Sequence, residues 1–136
     1  MVEKLEANLK VPVTCKIRCL PTSHQTLHLS HRLAKSGASL LTVHGRCRLH
    51  KKQQVGVTNL DIIRRIKEEM EIPVVANGGI SNFDDVEYVI RETGVDGVMS
   101  SECVLENPAL FTGMVPDLDE IAEEYLQMVE QYPGEV

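Results

Sequence analysis

The sequence predicts an α/β fold, half of a (β/α)8 barrel with four parallel strands and helices on the outer face. Short apolar runs alternate with stretches of helical periodicity in the order β-α-β-α-β-α-β. The strand centres are spaced by about 24 to 31 residues, which fits one strand–helix unit each. Each apolar run also ends in polar residues, and α/β barrels build their active sites at the carboxyl ends of parallel strands.

Chain length limits how much of a barrel is present. The 136 residues suffice for one domain with its own core. A complete barrel needs roughly 200 residues or more, so the four visible units are expected to form half of one. A plain doubly wound sheet stays open as the alternative. We expect a barrel region at residues 1–114 and, within residues 115–136, an amphipathic helix that either closes the flank of the barrel or leads into another domain.

The strands and the first two helices are predicted from apolar spacing and cap residues. The strands are expected to end near Arg18, Arg46, Gly79 and Ser101. The first helix spans about residues 24–36 and ends before a glycine at position 37. The second helix begins at one of two good N-cap residues at positions 58 and 59. The apolar stripes are Leu29 and Leu33 on the first helix, and Leu60, Ile63, Ile66 and Met70 on the second.

The remaining helices follow from the same signals. The third helix opens at Ser81-Asn82 and carries acidic residues in its first turn, which suits the helix dipole. Gly94 is expected to end it. The side chains expected to be buried on it are Val86, Val89 and Ile90. Pro108 is placed at the first position of a short helical turn, and residues 118–132 form the amphipathic helix of the tail.

Composition excludes several classes of protein. The net charge is −6, but residues 115–136 hold seven acidic and no basic residues, so the remainder is close to neutral. No run approaches the roughly 18 apolar residues of a membrane span, so no membrane partner is expected and the cytoplasm, with the nucleus second, is the expected location. The cysteines lack metal-type spacing. Cys15 and Cys19 are therefore expected to be small buried side chains and no metal is predicted.

The polar residues at the strand ends suggest a ligand site. Lys16 can stabilise negative charge on a planar ligand, while His44 and Asn77 supply donors and acceptors of fixed geometry. Glycines at 78 and 79 let the backbone approach a ligand closely, and Ser100-Ser101 offers N–H groups and hydroxyls to a phosphate. Each feature alone is common in structural roles. Together they favour a phosphorylated aromatic cofactor.

The segment from Arg46 to Lys52 is the most basic stretch of the chain. A charge run of this kind is usually solvated surface. Since this one follows the second strand, it leaves the same mouth of the barrel as the other strand ends, and contact with a nucleic-acid phosphate backbone is the competing interpretation.

Several motifs resemble those of the dihydrouridine synthases, flavin enzymes that reduce uridine in transfer RNA. The motifs are VPVTCKIR at 11–18, LTVHGR at 41–46, PVVANG at 73–78, TGVDGVM at 93–99 and NPALF at 107–111. They stand in family order, and the tail after residue 120 is most similar to the eukaryotic branch that acts on D-loop positions sixteen and seventeen. The resemblance covers nearly the whole chain.

The resemblance implies a TIM-barrel fold, of which this chain would be the C-terminal half, and places FMN on residues 1–114, with NAD(P)H as reductant and tRNA as substrate. The implied cofactor-binding residues are Lys16, His44, Asn77, Gly78, Gly79, Ser101 and Glu102. The implied RNA-binding residues are Arg18, Arg46, Arg48, Lys51 and Lys52.

Some positions depart from the family pattern. Ser101 and Glu102 stand where most members have Gly-Arg at the FMN phosphate, and Gly79 replaces a common acidic residue. The family's proton-donating cysteine is expected upstream of this chain, so no catalytic residue is assigned here. We therefore expect little dihydrouridine synthesis from the chain alone, and weak FMN binding. Another FMN barrel oxidoreductase, or a non-catalytic half-barrel that binds RNA or protein partners, are the alternatives.

Overall fold

The structure, a computed structural model, describes residues 1–47 and 57–134. Alternating strands and helices make up most of this part of the chain. The strands are β1 (Thr14–Cys19), β2 (Leu40–Cys47), β3 (Val74–Asn77) and β4 (Gly97–Met99). The α-helices are α1 (Val2–Glu6), α2 (Ser23–Lys35), α3 (Leu60–Glu69), α4 (Phe83–Thr93), α5 (Glu102–Glu106) and α6 (Leu118–Gln131), with a 3-10 helix at Leu110–Thr112.

The four strands form one parallel sheet in the order β1-β2-β3-β4. This confirms the predicted half-barrel arrangement. The doubly wound alternative is wrong for these residues, because its strand order reverses at a switch point and here sequence order and sheet order are the same. The last two strands end two residues before the expected positions. After β3 the cause is local, since Gly78 and Gly79 both adopt positive φ and turn the chain away.

One face of the sheet packs against α2, α3 and α4, and the other face is open. Leu41, Val43 and Val74 point toward the helices and are fully buried, as are Ile63 and Ile66 of α3. On β1 the alternation is clear, with Thr14, Lys16 and Arg18 exposed and Cys15, Ile17 and Cys19 half-buried against the core. We call the open side the concave face. The apolar core therefore lies between the sheet and the helices, and polar side chains are left on the concave face.

The helix boundaries agree with the cap predictions. Asn59 is the N-cap of α3 and accepts a hydrogen bond from the Ile62 N–H at 3.1 Å. Asn82 and Asp85 form a capping box at the start of α4. Gly94 follows α4 in the left-handed conformation.

Two predicted helix faces need correction. Ile90 is 40% exposed, and Thr93 is buried in its place, with its hydroxyl donating to the Val89 carbonyl at 2.6 Å. On α2 the residue Leu29 is only partly covered, and the fully buried side chains include Thr26 and Ser30. Short hydroxyl side chains fit this contact because they bond to their own helix backbone, as Ser30 does to the Thr26 carbonyl at 2.9 Å.

The segment after β4 also differs from expectation. Pro108 lies in a turn, and the 3-10 helix begins two residues later at Leu110. The Asn107 side chain accepts a hydrogen bond from the Ala109 N–H at 3.0 Å, which closes an Asx turn around the proline. A short turn is therefore present, but Pro108 is not its first helical residue.

The tail helix α6 lies within the predicted range 118–132. None of its residues is buried, and five of its large apolar or aromatic side chains are 45% to 73% exposed: Leu118, Tyr125, Leu126, Met128 and Val129. In the described ranges, no helix combines the length and the apolar character that a membrane span requires. Those ranges also hold no group of three or more side chains arranged to bind a metal ion.

Candidate functional site

The strand register brings the predicted site residues into two rows on the concave face. Arg18 pairs with His44, His44 pairs with Asn77, and Asn77 pairs with Met99. Because aligned residues of parallel strands point to the same side, these four side chains form one row at the carboxyl edge. Lys16 belongs to the row beneath, opposite Thr42 of β2.

Positive charge surrounds the imidazole of His44. Lys16 and Arg18 are exposed on β1, and Arg46 lies half-buried near the end of β2. Burial of the ring, followed by the charges of Arg18, Lys16 and Arg46, lowers the pKa of His44 below its ordinary value. The imidazole is therefore neutral at neutral pH, with one nitrogen able to donate and the other able to accept.

Asn77 fixes the ends of two strands to each other. It is 7% exposed, and its side-chain Nδ2 donates to the Met99 carbonyl at 2.9 Å. The bond links the last residue of β3 to the last residue of β4. It also orients the Asn77 amide, so that its oxygen keeps a fixed position at the edge of the concave face.

The turn after β3 brings backbone close to the His44 ring. A Cβ at Gly78, whose φ is +97°, would lie 2.9 Å from His44 Cδ2 and 3.0 Å from His44 Nε2. A Cβ at Gly79, with φ of +76°, would lie 2.9 Å from Thr58 Oγ1. No L-residue side chain fits at either position without displacing these neighbours, so the glycines allow the imidazole and the threonine to pack directly on backbone.

Three buried polar atoms at this end of β2 lack a hydrogen-bond partner within residues 1–47 and 57–134. They are His44 Nε2, Arg46 Nε and Thr58 Oγ1. Buried polar groups in proteins are nearly always paired, so this cluster is suited to receive a polar ligand or water. Thr58 was considered from the sequence only as a helix cap. Nothing in its sequence context indicates a place in the site, because its position depends on how α3 packs on the β3 turn.

The predicted phosphate-binding residues lie after β4. The Ser100 hydroxyl donates to the Ile80 carbonyl at 3.1 Å and joins the β3 and β4 loops. Ser101 precedes α5 and its side chain makes no cap hydrogen bond, while Glu102 is exposed in the first turn. Glu102 brings negative charge to this side of the site, opposite in sign to the cations on β1 and β2.

Of the predicted RNA-binding residues, Arg18 is exposed on the concave face and Arg46 is half-buried. Arg48, Lys51 and Lys52 lie outside the described residues.

Two cavities of about 250 Å³ occur near this edge. One lies between the ends of β1 and β2 and the helices α2 and α3, where Cys19, Cys47 and Asn59 line it. The other lies between the start of α4 and the loop that contains Leu110 and Met114. The strand-end residues Lys16, His44 and Asn77 line neither of these two cavities and lie instead on the open concave face.

The arrangement fits a flavin mononucleotide by its donor set. The cations beside His44 can face an electron-rich ring, and the half-buried imidazole adds an uncharged hydrogen-bonding group. The glycine turn is occupied by the His44 and Thr58 side chains, so the ligand is expected on the concave face and not against the Gly78 and Gly79 backbone.

The sequence of this chain is similar to those of a known family of proteins. The family model for dihydrouridine synthase (Dus) matches residues 1–132. A mouse protein named tRNA-dihydrouridine(16/17) synthase [NAD(P)(+)]-like is 46% identical over 98% of this chain and 28% of its own length. The Schizosaccharomyces pombe tRNA-dihydrouridine(16/17) synthase [NAD(P)(+)] is 36% identical over 97% of this chain and 35% of its own length. The chain thus spans about a third of these relatives.

Solved structures of low sequence identity support the α/β fold of this chain and nothing beyond the fold. The BexX/CysO complex of Amycolatopsis orientalis contains a chain that matches 86% of this one and 51% of its own length, with a TM-score of 0.53 and 20% identity. A mandelate oxidase variant crystallised with benzoyl-formic acid matches 71% of this chain and 34% of its own, with a TM-score of 0.53 and 16% identity. Together with the family match and the curated relatives, the sheet order and the site motifs establish that this chain belongs to the dihydrouridine synthase family.

Proposed function

We propose that this chain carries the flavin-binding half of the barrel of an FMN-dependent tRNA-dihydrouridine synthase. The complete enzyme reduces uridine to 5,6-dihydrouridine in the D-loop of tRNA with NAD(P)H as reductant. Family membership supports the reaction class, and the relatives' names support tRNA positions sixteen and seventeen. The observation that carries the proposal is the row of Arg18, His44 and Asn77 at the carboxyl edge of the sheet, with the Lys16 ammonium in the row beneath it.

The cofactor-binding residues in this proposal are Lys16, His44, Asn77, Gly78 and Gly79. FMN, when bound, supplies the hydride that reduces the uracil ring. The Lys16 ammonium, exposed one row below His44, favours ligand groups that carry negative charge. The His44 imidazole adds a hydrogen-bonding group without a charge, since its lowered pKa keeps it neutral. The glycine turn lets the His44 ring pack against the backbone and so sets where the ring lies.

The phosphate end of the cofactor is proposed to bind near Ser101 and Glu102. A carboxylate repels phosphate, so the phosphate depends on backbone N–H groups at the β3 and β4 turns rather than on a side-chain cation. This arrangement is expected to bind FMN less tightly than a site with an arginine at the same place.

The tRNA partner is proposed to contact one basic side chain of β1 and those of the basic stretch that begins at the end of β2. They are Arg18, Arg46, Arg48, Lys51 and Lys52. Contacts between these cations and backbone phosphates would make RNA affinity fall steeply as salt concentration rises. The cytoplasm, with the nucleus as a second compartment, is the proposed location because tRNA is the proposed substrate.

Replacing Lys16 with alanine is expected to weaken FMN binding about tenfold, because a cation within reach of the ligand is removed from a face with little other covering. Quenching of flavin fluorescence in a titration of the purified chain measures the affinity. Lys10→Ala is the matched control, since Lys10 is also exposed and lies before β1, at the opposite end of the sheet. Equal affinities of the two variants would contradict the placement of the cofactor.

The reaction itself is tested by supplying the purified chain with FMN, NADPH and unmodified tRNA and measuring dihydrouridine. We expect little or no turnover from the chain alone, because the resemblance places the proton-donating cysteine in the other half of the barrel. Retained flavin and tRNA binding without turnover is the result that the proposal requires. Turnover comparable to that of a complete synthase would instead place the acid in this chain, with Cys47 and Cys103 as the first residues to replace.

A further inference from the structure

Thr58 is held firmly between β2 and the turn that follows β3. Its side chain is 7% exposed. Its Cγ2 lies 2.5 Å from the position that a Cβ at Gly45 would occupy, so it packs directly on the β2 backbone. The next residue, Asn59, donates its backbone N–H to the Gly45 carbonyl at 2.8 Å. These contacts fix where the Thr58 hydroxyl points.

The hydroxyl and the imidazole of His44 face the same point. His44 Nε2 lies 3.0 Å, and Thr58 Oγ1 3.1 Å, from the position that a Cβ at Gly78 would occupy. Both atoms are buried, and neither has a hydrogen-bond partner in the described part of the chain. One water beside Gly78 would join them in one hydrogen-bonded unit.

We propose that Thr58 is a positioning residue, whose hydroxyl hydrogen bonds to His44 Nε2 through one water beside Gly78 and thereby holds the imidazole in place on the concave face. The inference depends on the proposed function only in taking the His44 ring as a cofactor contact. Leaving Nε2 without a partner would cost the free energy of a buried unsatisfied group and would release the ring from a single orientation.

The groups that face His44 decide the sign of the expected titration. Lys16 and Arg18 approach from β1 and Arg46 from β2, and all three disfavour the protonated ring, as burial does. When the imidazole becomes charged, Nε2–H can donate to the bridging water, which in turn donates to the Thr58 oxygen, and bonds to a charged donor are the stronger ones. Loss of the hydroxyl therefore lowers the pKa of His44 further.

Nuclear magnetic resonance of histidine-labelled chain, without cofactor, provides the test. His44 is identified among the five histidines by the signal that disappears in His44→Gln. In both Thr58→Val and Thr58→Ala, the midpoint of the His44 titration is expected to fall by about one pH unit. Thr58→Ser, which restores the hydroxyl, should return the midpoint to the wild-type value, an effect that packing alone would not produce.

Thr93→Val is the matched control, because Thr93 is also buried but its hydroxyl bonds within α4, to the Val89 carbonyl. It should leave the His44 titration unchanged. A wild-type His44 midpoint in both Thr58→Val and Thr58→Ala would overturn the inference. If the midpoint shifts but the wild-type chain does not bind FMN, the role of Thr58 is supported and the proposed function is contradicted. Failure of the inference and failure of the proposed function are therefore distinguishable.

Discussion

Replacing Gly45 with alanine is expected to lower the free energy of unfolding by about 3 kcal/mol, the range of severe overpacking in a closed core. The added Cβ would lie 2.5 Å from Thr58 Cγ2, 3.0 Å from the Asn59 carbonyl oxygen and 3.0 Å from Ile63 Cδ1. The Asn59 contact is with backbone at the N-cap of α3, so relief requires a shift of that helix. Ile63 is fully buried and has no space to yield.

Urea denaturation followed by circular dichroism measures this change, and Gly97→Ala is the matched control. Gly97 also lies in a strand of the same sheet, but a Cβ there would meet only Val75 Cγ2, at the ordinary contact distance of 3.8 Å. Its substitution should change the free energy of unfolding by no more than about 0.5 kcal/mol. If the two variants were equally stable, β2 and α3 would not be packed as described.

The sequence predicted the order and direction of the strands because its signals are local. Each apolar run is short, and each is followed by a cap residue such as Asn59 or Asn82 that starts a helix by accepting a backbone hydrogen bond. Strand–helix–strand units of this length leave parallel pairing of neighbours as the simplest arrangement. The half-barrel follows from these facts and from chain length.

The wrong predictions about the fold occur where tertiary packing decides which side chains are buried. Ile90 and Thr93 both belong to apolar-compatible positions of α4, and only the contact with neighbouring elements selects Thr93 for burial. The hydroxyl is tolerated because it bonds to its own helix. Likewise, the register shift that pairs Cys19 with Cys47, after Arg18 has paired with His44, has no signature in the sequence.

The candidate site was predictable only in part. The alternation of side chains along β1 and β2 predicts that Lys16 and His44 share a face, and the register confirms that they lie in adjacent rows. The position of Thr58 was not predictable. Thr58 is fourteen positions away from His44 in sequence, and it lies beside the same glycine turn because Gly45 and Gly78 leave space for its side chain.

Gly78→Ala is expected to reduce FMN affinity at least tenfold while the sheet remains folded. The native φ of +97° costs an L-residue on the order of 1–2 kcal/mol. The added methyl would also stand 2.9 Å from His44 Cδ2, 3.0 Å from His44 Nε2 and 3.1 Å from Thr58 Oγ1. The imidazole must therefore rotate away from residue 78, and the ligand loses its contact with the ring in the native position.

Gly94→Ala separates the two effects, because Gly94 also has a positive φ, of +68°, but a Cβ there would have no atom within 4 Å. It should lose stability through backbone strain alone and keep wild-type flavin affinity. Both variants are compared by flavin fluorescence titration below their unfolding midpoints. Since strain is common to the pair, a difference in affinity reports on the contact with His44 and Thr58. Equal flavin affinities of the two variants would contradict a cofactor position beside His44.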